Sequence, residues 1–162
     1  MPNQAGKYAA AMVCVLQDNT NCDIVVRVYC RKQEKVDELN TQHTLASVAP
    51  GITFKSSVTA TTSVADCLQG ADLVFLCIPA QTLSAFFSEH GHLLAPTSIV
   101  VNCAKGMAIT ERKFICQIFE ERYPDRKDLY TTLSGPSFAD EIFKKMPTCV
   151  TIAGHSRNSV DA

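Results

Sequence analysis

Two short turns in the second half of the chain carry residues able to do chemistry, Asn102-Cys103-Ala104-Lys105-Gly106 and Leu133-Ser134-Gly135-Pro136-Ser137-Phe138-Ala139. Lys105 supplies a compact positive charge that can hold a phosphate or polarise a developing alkoxide. Gly135 lets a backbone approach a ligand closely, Pro136 stiffens the turn, and Ser137 offers a hydroxyl and a helix N-cap. Taken alone, Lys105 reads as a solvated loop lysine; the second turn shifts that reading towards a ligand contact. Each turn directly follows an apolar, strand-like run, and in α/β proteins ligands are held at the carboxyl ends of parallel strands. The pair suits a small phosphorylated or carboxylated substrate beside a nucleotide.

The elements that must position these turns alternate regularly. Tyr8 to Leu16 is an alanine-containing apolar stretch suited to a helix, and Asp23 to Cys30 is β-branched enough for a strand. Arg31 to Leu39 reads as a surface helix stopping at Asn40, followed by a loop over 41–51. Ile52 to Lys55 is a candidate short strand, Ser63 to Leu68 a helix closed by Gly70, and Ala71 to Ile78 a buried strand ended by Pro79. Gln81 to Leu94 reads as a helix, Ser98 to Cys103 as a strand, and Glu111 to Arg122 as a helix capped by Thr110. Tyr130 to Leu133 and Cys149 to Ile152 supply two more strands around a short helix from Phe138 to Phe143. Strands alternating with helices predict an α/β fold, a Rossmann-like doubly wound, mainly parallel sheet.

Composition narrows the function. With 162 residues, 46% apolar and 19% charged, the chain fits a soluble globular domain with a real core. A net charge of −1 with scattered basic residues gives no case for nucleic acid or an anionic membrane, and no run is long enough to span a bilayer. The eight cysteines include no Cys-x-x-Cys pair and no histidine at ligand spacing, which argues against zinc. They read as reduced core residues of an intracellular, cytoplasmic protein. Cys103 stands apart because a cation as near as Lys105 can lower a thiol pKa, although core packing is the favoured reading for it too.

A dinucleotide fold begins with a strand and a Gly-x-Gly-x-x-Gly/Ala turn that opens a helix. Here Gln4-Ala5-Gly6-Lys7-Tyr8-Ala9 precedes the helix, with Gly6 and Ala9 in the second and third glycine positions and Gln4 in the first. Only three residues lie upstream, so the fold is expected to lack its first strand.

Ile78-Pro79-Ala80-Gln81, Cys103-Ala104-Lys105-Gly106-Met107 and Leu133-Ser134-Gly135-Pro136-Ser137-Phe138-Ala139-Asp140-Glu141, in this order and spacing, resemble the NAD-dependent glycerol-3-phosphate dehydrogenase family from Gly6 to about Ala153. The resemblance implies hydride transfer between a nicotinamide and the pair dihydroxyacetone phosphate and sn-glycerol 3-phosphate. It implies substrate contacts at Lys105, Gly135 and Ser137, and cofactor contacts at Gly6, Lys7, Tyr8, Ala9, Arg31, Thr82, Lys105 and Ala139. The expected cofactor is NAD, with NADP open because Arg31 can pair with a ribose 2′-phosphate.

The resemblance further implies a truncated NAD-binding domain over 1–153 and a tail over 154–162 leading to a helical domain beyond it. That second domain carries the family's general acid/base lysine, so no catalytic residue is assigned here. No metal is expected, and the full-length family member is expected to be a homodimer. Two other readings stay open: a non-catalytic nucleotide-binding or interaction module, and another reductase of the same superfamily.

Overall fold

The computed structural model describes residues 4–18 and 23–161; the readings that rest on Cys22, on residues 1–3 and on residue 162 lie outside them. In chain order the elements are α1 (Gln4–Gln17), β1 (Val26–Tyr29), α2 (Gln33–Gln42), β2 (Val58–Thr61), α3 (Val64–Leu68), β3 (Leu73–Leu76), α4 (Ala80–His90), β4 (Ile99–Asn102), α5 (Ile115–Arg122), β5 (Tyr130–Ser134), α6 (Ala139–Phe143), β6 (Thr151–Gly154) and α7 (Arg157–Asp161). Short 3-10 turns at Gly91–Leu93 and Pro124–Leu129 follow α4 and α5. The described residues form two compact units, one from those up to Cys67 with Ser137–Thr148, the other from Leu68–Pro136 with the stretch from Cys149 onward.

In the first unit β1 and β2 run parallel, with Val26 opposite Val58 and Tyr29 opposite Thr61. Alternation buries Val58 and Ala60 on one face of β2, the period-two signature of a half-buried strand. They join Ala10, Val13, Val36, Leu39, Val48 and Phe54 in one apolar core, against which Phe143 of α6 also packs. The expected strand over 52–55 is not formed. Phe54 is buried there as a loop anchor, its N–H donating to the His43 carbonyl at 2.8 Å.

Helix α2 runs beyond Asn40 to Gln42 and stops at His43, which takes the left-handed conformation (φ 55°). Asn40 has a different task from the expected stop. Its Nδ2 donates to the Ala60 carbonyl at 3.0 Å, and its Oδ1 accepts the Ala60 N–H at 2.7 Å. One side-chain amide thus satisfies both backbone groups of Ala60 that face away from β1. Asn40→Ala is expected to lower the unfolding free energy by about 2 kcal/mol, since both Ala60 groups lose a part-buried partner. Urea unfolding checks this; an unchanged midpoint would mean that water replaces the amide without loss.

The second unit holds the sheet β3-β4-β5-β6, parallel from β3 to β5 and antiparallel at β6. Leu83 and Phe87 of α4 and Ile115 and Phe119 of α5 are fully buried, and the Phe119 ring lies 5.5 Å from Phe87 and 4.9 Å from Tyr130. Aromatic rings at these separations add to the energy of their buried area. Helix α5 begins at Ile115 rather than Glu111, and Thr110 is not its cap. Residues 108–113 instead close a tight backbone bridge between Ala108 and Lys113, with Arg112 left-handed at φ 54°, and the Phe114 N–H donates to Gln117 Oε1 at 2.9 Å. Strand β6 lies two residues beyond the expected Cys149–Ile152. Among the described residues no strand precedes α1, and β1 and β3 are each terminal in their sheets.

Candidate functional site

In the second unit the Lys105 turn follows β4 and residues 133–136 of the other turn lie at the end of β5, so both stand at the carboxyl ends of adjacent parallel strands. Lys105 is exposed, and its Nζ donates to the Gly135 carbonyl at 3.0 Å, which ties one turn to the other. Asn102, 3% exposed, accepts the Ala104 N–H through Oδ1 at 3.0 Å and so bends the chain directly after β4. Gly106 completes the bend at φ 98°, a conformation that glycine takes without steric cost. Beside these residues opens a cleft of about 350 Å³, lined also by Phe114, Thr132 and Ser134. A cation beside hydroxyl and amide groups in a space of that size can hold a small anion.

Gly135 is needed for a reason the sequence did not supply. Its φ is 144°, and a β-carbon there would stand 2.5 Å from the Cys149 carbonyl oxygen and 3.0 Å from the Val150 α-carbon. The backbone that comes close to Gly135 is therefore that of the segment entering β6.

Gln81 is a positioning residue that sequence reasoning quoted but gave no role. Its Nε2 donates to the Met107 carbonyl at 2.7 Å and its Oε1 accepts the Ile109 N–H at 2.9 Å, clamping the segment after Gly106. The signal was its place after Pro79-Ala80, where α4 opens. Thr82 is exposed in the first turn of α4, its hydroxyl donating to the Pro79 carbonyl at 2.8 Å.

In the first unit α1 and α6 bring four of the expected residues together. The Tyr8 hydroxyl and Ser137 Oγ are hydrogen-bonded at 3.0 Å, Lys7 Nζ pairs with Asp140 Oδ1 at 3.2 Å, and Ala139 is buried at the start of α6. Two expectations are corrected. Ser137 does not cap α6: the helix starts one residue later than a Ser137 cap requires, the Glu141 and Ile142 N–H groups both donate to the Phe138 carbonyl, and the buried Ser137 hydroxyl meets Tyr8 instead. Gly6 does not lie in a turn before the helix. The alanine-rich run around it favours helix strongly, so α1 extends upstream to Gln4, with Gly6 in its first turn and Ala9 one turn further on. Arg31 is exposed immediately past β1.

The thiols divide by environment. Burial pushes Cys14 up to about 11 and raises Cys30 and Cys67 as well, but the expectation of core cysteines holds fully only for Cys103: five of the described cysteines are half-buried and Cys149 is exposed. Cys103 is 6% exposed and its pKa is lowered by the neighbouring Cys77 thiol rather than by Lys105. Among the described residues no group of three or more His, Cys, Asp or Glu side chains could hold a metal ion, and no helix is long and apolar enough to cross a membrane.

Parallel strands joined by helices, with polar turns at the strands' carboxyl ends, define an α/β protein of the Rossmann type. Solved structures agree: the chain superposes on glycerol-3-phosphate dehydrogenase from Coxiella burnetii with a TM-score of 0.79 at 18% identity, covering 94% of this chain and 45% of that one. The enzyme of the same name from Plasmodium falciparum gives 0.78 at 20% identity, over 99% and 46%. The chain belongs to the family described as the NAD-dependent glycerol-3-phosphate dehydrogenase N-terminus, whose model matches residues 4–160. Among curated relatives, the glycerol-3-phosphate dehydrogenase (NAD(P)+) of Streptomyces griseus is 30% identical over 91% of this chain and 43% of its own length. Its counterpart in an Exiguobacterium strain is 33% identical over 92% and 43%. The chain thus spans somewhat under half the length of the relatives it matches.

Proposed function

We propose that this chain is the dinucleotide-binding part of an NAD(P)-dependent glycerol-3-phosphate dehydrogenase, which interconverts sn-glycerol 3-phosphate and dihydroxyacetone phosphate. The observation that carries this reading is the bond from Lys105 to the Gly135 carbonyl, because it joins in one cleft the two turns that distinguish the family. In this reading Lys105, Gly135 and Ser137 contact the phosphorylated substrate. Lys105 places positive charge where the carbonyl oxygen of dihydroxyacetone phosphate becomes an alkoxide, and in a partly dry cleft such a charge is a large catalytic term. The nicotinamide, when bound, donates or accepts the hydride.

Gly6, Lys7, Tyr8, Ala9, Arg31, Thr82, Lys105 and Ala139 are the proposed dinucleotide contacts. The amino terminus of α1 is suited to a pyrophosphate, since a helix presents the positive end of its dipole there. Exposed Arg31, directly past β1, suits an adenosine ribose and can also receive a 2′-phosphate. NAD is the proposed cofactor, with NADP as the second. Residues 1–153 form the dinucleotide-binding domain in this scheme and 154–162 lead towards a helical domain that supplies proton transfer. The assembled enzyme is a cytoplasmic homodimer: the described cysteines are free thiols, and exposed Ile109 and Phe114 offer apolar surface to a second copy.

Calorimetric titration of the 162-residue chain with NADH, and separately with NADPH, tests the cofactor assignment. Saturable binding is expected, and a preference for NADPH that disappears in Arg31→Ala would set Arg31 on the 2′-phosphate. A folded chain that binds neither nucleotide would remove the dinucleotide role.

A further inference from the structure

Strands β3 and β4 run parallel with Leu76 opposite Asn102, and the next residue on each is a cysteine. The Cys103 N–H donates to the Leu76 carbonyl at 3.2 Å, so the pairing continues to the point where the two chains part. In register, residues 77 and 103 project on the same face, and each thiol acts on the titration of the other, Cys77 being raised and Cys103 lowered. Neighbouring strands lie about 4.8 Å apart, and a disulfide accepts α-carbon separations of about 4.4–6.8 Å. Both residues sit past the last paired residues of their strands, where the backbone can adjust. Cys77 is half-buried and gives access from solvent, whereas Cys103 is nearly enclosed and opens the turn that carries Lys105.

We propose that Cys77 and Cys103 are a reversible dithiol–disulfide site at the carboxyl ends of β3 and β4, oxidised by a small peroxide. The Cys103 sulfur, whose thiolate is favoured by the neighbouring Cys77 thiol, attacks one oxygen of hydrogen peroxide. An S–O bond forms, the O–O bond breaks, and the departing hydroxide takes up the thiol proton to leave as water. The Cys77 sulfur then attacks the sulfenic sulfur of Cys103. The S–S bond forms, the S–O bond breaks, and the hydroxide leaves with the Cys77 proton as a second water. Two thiols lose two electrons and two protons, and one peroxide is reduced to two waters. A dithiol returns the pair to the reduced state by exchange.

The inference rests on strand register and does not depend on the proposed activity. Burial raises Cys14, Cys30 and Cys67, and Cys77 is raised as well, by Cys103 and by burial, which leaves Cys103 as the attacking thiol and Cys77 as the resolving one. Closing the bridge fastens the start of the Ala104-Lys105-Gly106 turn to the end of β3 and takes the Cys103 sulfur from its 3.9 Å contact with the Val101 carbonyl.

The test is to expose the 162-residue chain to hydrogen peroxide, alkylate remaining thiols, and map the products after cleavage at Glu89, which separates the two cysteines. A linked pair of peptides joining Cys77 to Cys103, lighter by two hydrogens and released by dithiothreitol, is expected. Cys77→Ser should lose this product entirely and carry Cys103 on to the sulfinic acid, since the resolving thiol is gone. Alkylation of both cysteines after oxidation, conversion of wild-type Cys103 directly to the sulfinic acid, or a bridge from Cys103 to Cys116 instead would each overturn the proposal. The wild-type map decides the matter even if the variant fails to fold.

Discussion

Gly135→Ala is expected to destabilise the chain by about 4 kcal/mol, the sum of roughly 1–3 kcal/mol for a side chain held at a positive φ and a similar cost of overpacking. The φ of 144° excludes ordinary side chains, and the new methyl group meets backbone on the far side, the Cys149 carbonyl at 2.5 Å, rather than a side chain that could swing away. For a domain whose total stability is about 5–15 kcal/mol this is a large fraction, and the melting temperature should fall by on the order of 10 °C. Gly106→Ala is the matched control. Its φ of 98° carries a backbone cost, but nothing lies within 4 Å of the added carbon, so about 1–2 kcal/mol is expected. Equal melting temperatures for the two variants would show that the segment entering β6 yields freely, and the close approach would lose its significance.

Lys105→Ala should produce the second large effect, in activity rather than stability. With this chain joined to the carboxyl-terminal half of one of its relatives, kcat/KM for dihydroxyacetone phosphate is expected to fall by about 10²–10³-fold, the range for removing one charge-stabilising donor. Dinucleotide affinity should fall far less, because Lys105 is one of eight proposed contacts there. Lys105 is exposed and bonded to a carbonyl, so its loss leaves no buried charge unpaired and the fold should survive. Equal losses in both measurements would make Lys105 a support of the cleft as a whole, and no loss in either would take it out of the substrate site.

How far the sequence could be read depends on the range of the interactions concerned. The runs over 73–76 and 99–101 are uniformly apolar because both faces of a parallel strand are covered, and that signal is local. Strand β2 was misplaced because Phe54 is as apolar as any strand residue, and only its burial in the loop after α2 separates the two cases. Thr110 has the right type for a cap, yet the Ala108–Lys113 bridge consumes the residues around it. At the candidate site Lys105, Gly135 and Ser137 stood out by residue type and by their place in the two turns, while their assignment as substrate contacts came from the family resemblance. Their partners were not: that Lys105 bonds Gly135, that Ser137 meets Tyr8, or that Gln81 clamps Met107 and Ile109 is fixed by residues 26 to 129 positions away. Gly6 shows the reverse failure, where a motif template outweighed the plain helical propensity of the run Gln4–Gln17.

The amide of Asn40 gives the β1-β2 sheet a direction of growth. Beyond β2 an arriving strand finds Ala60 already engaged by a group that imitates a peptide, and it must displace two hydrogen bonds at once to pair there. Beside β1 it competes with a weak thiol donor, Cys67, on the Arg27 carbonyl. An added strand is therefore expected at the β1 margin of this sheet rather than at the β2 margin.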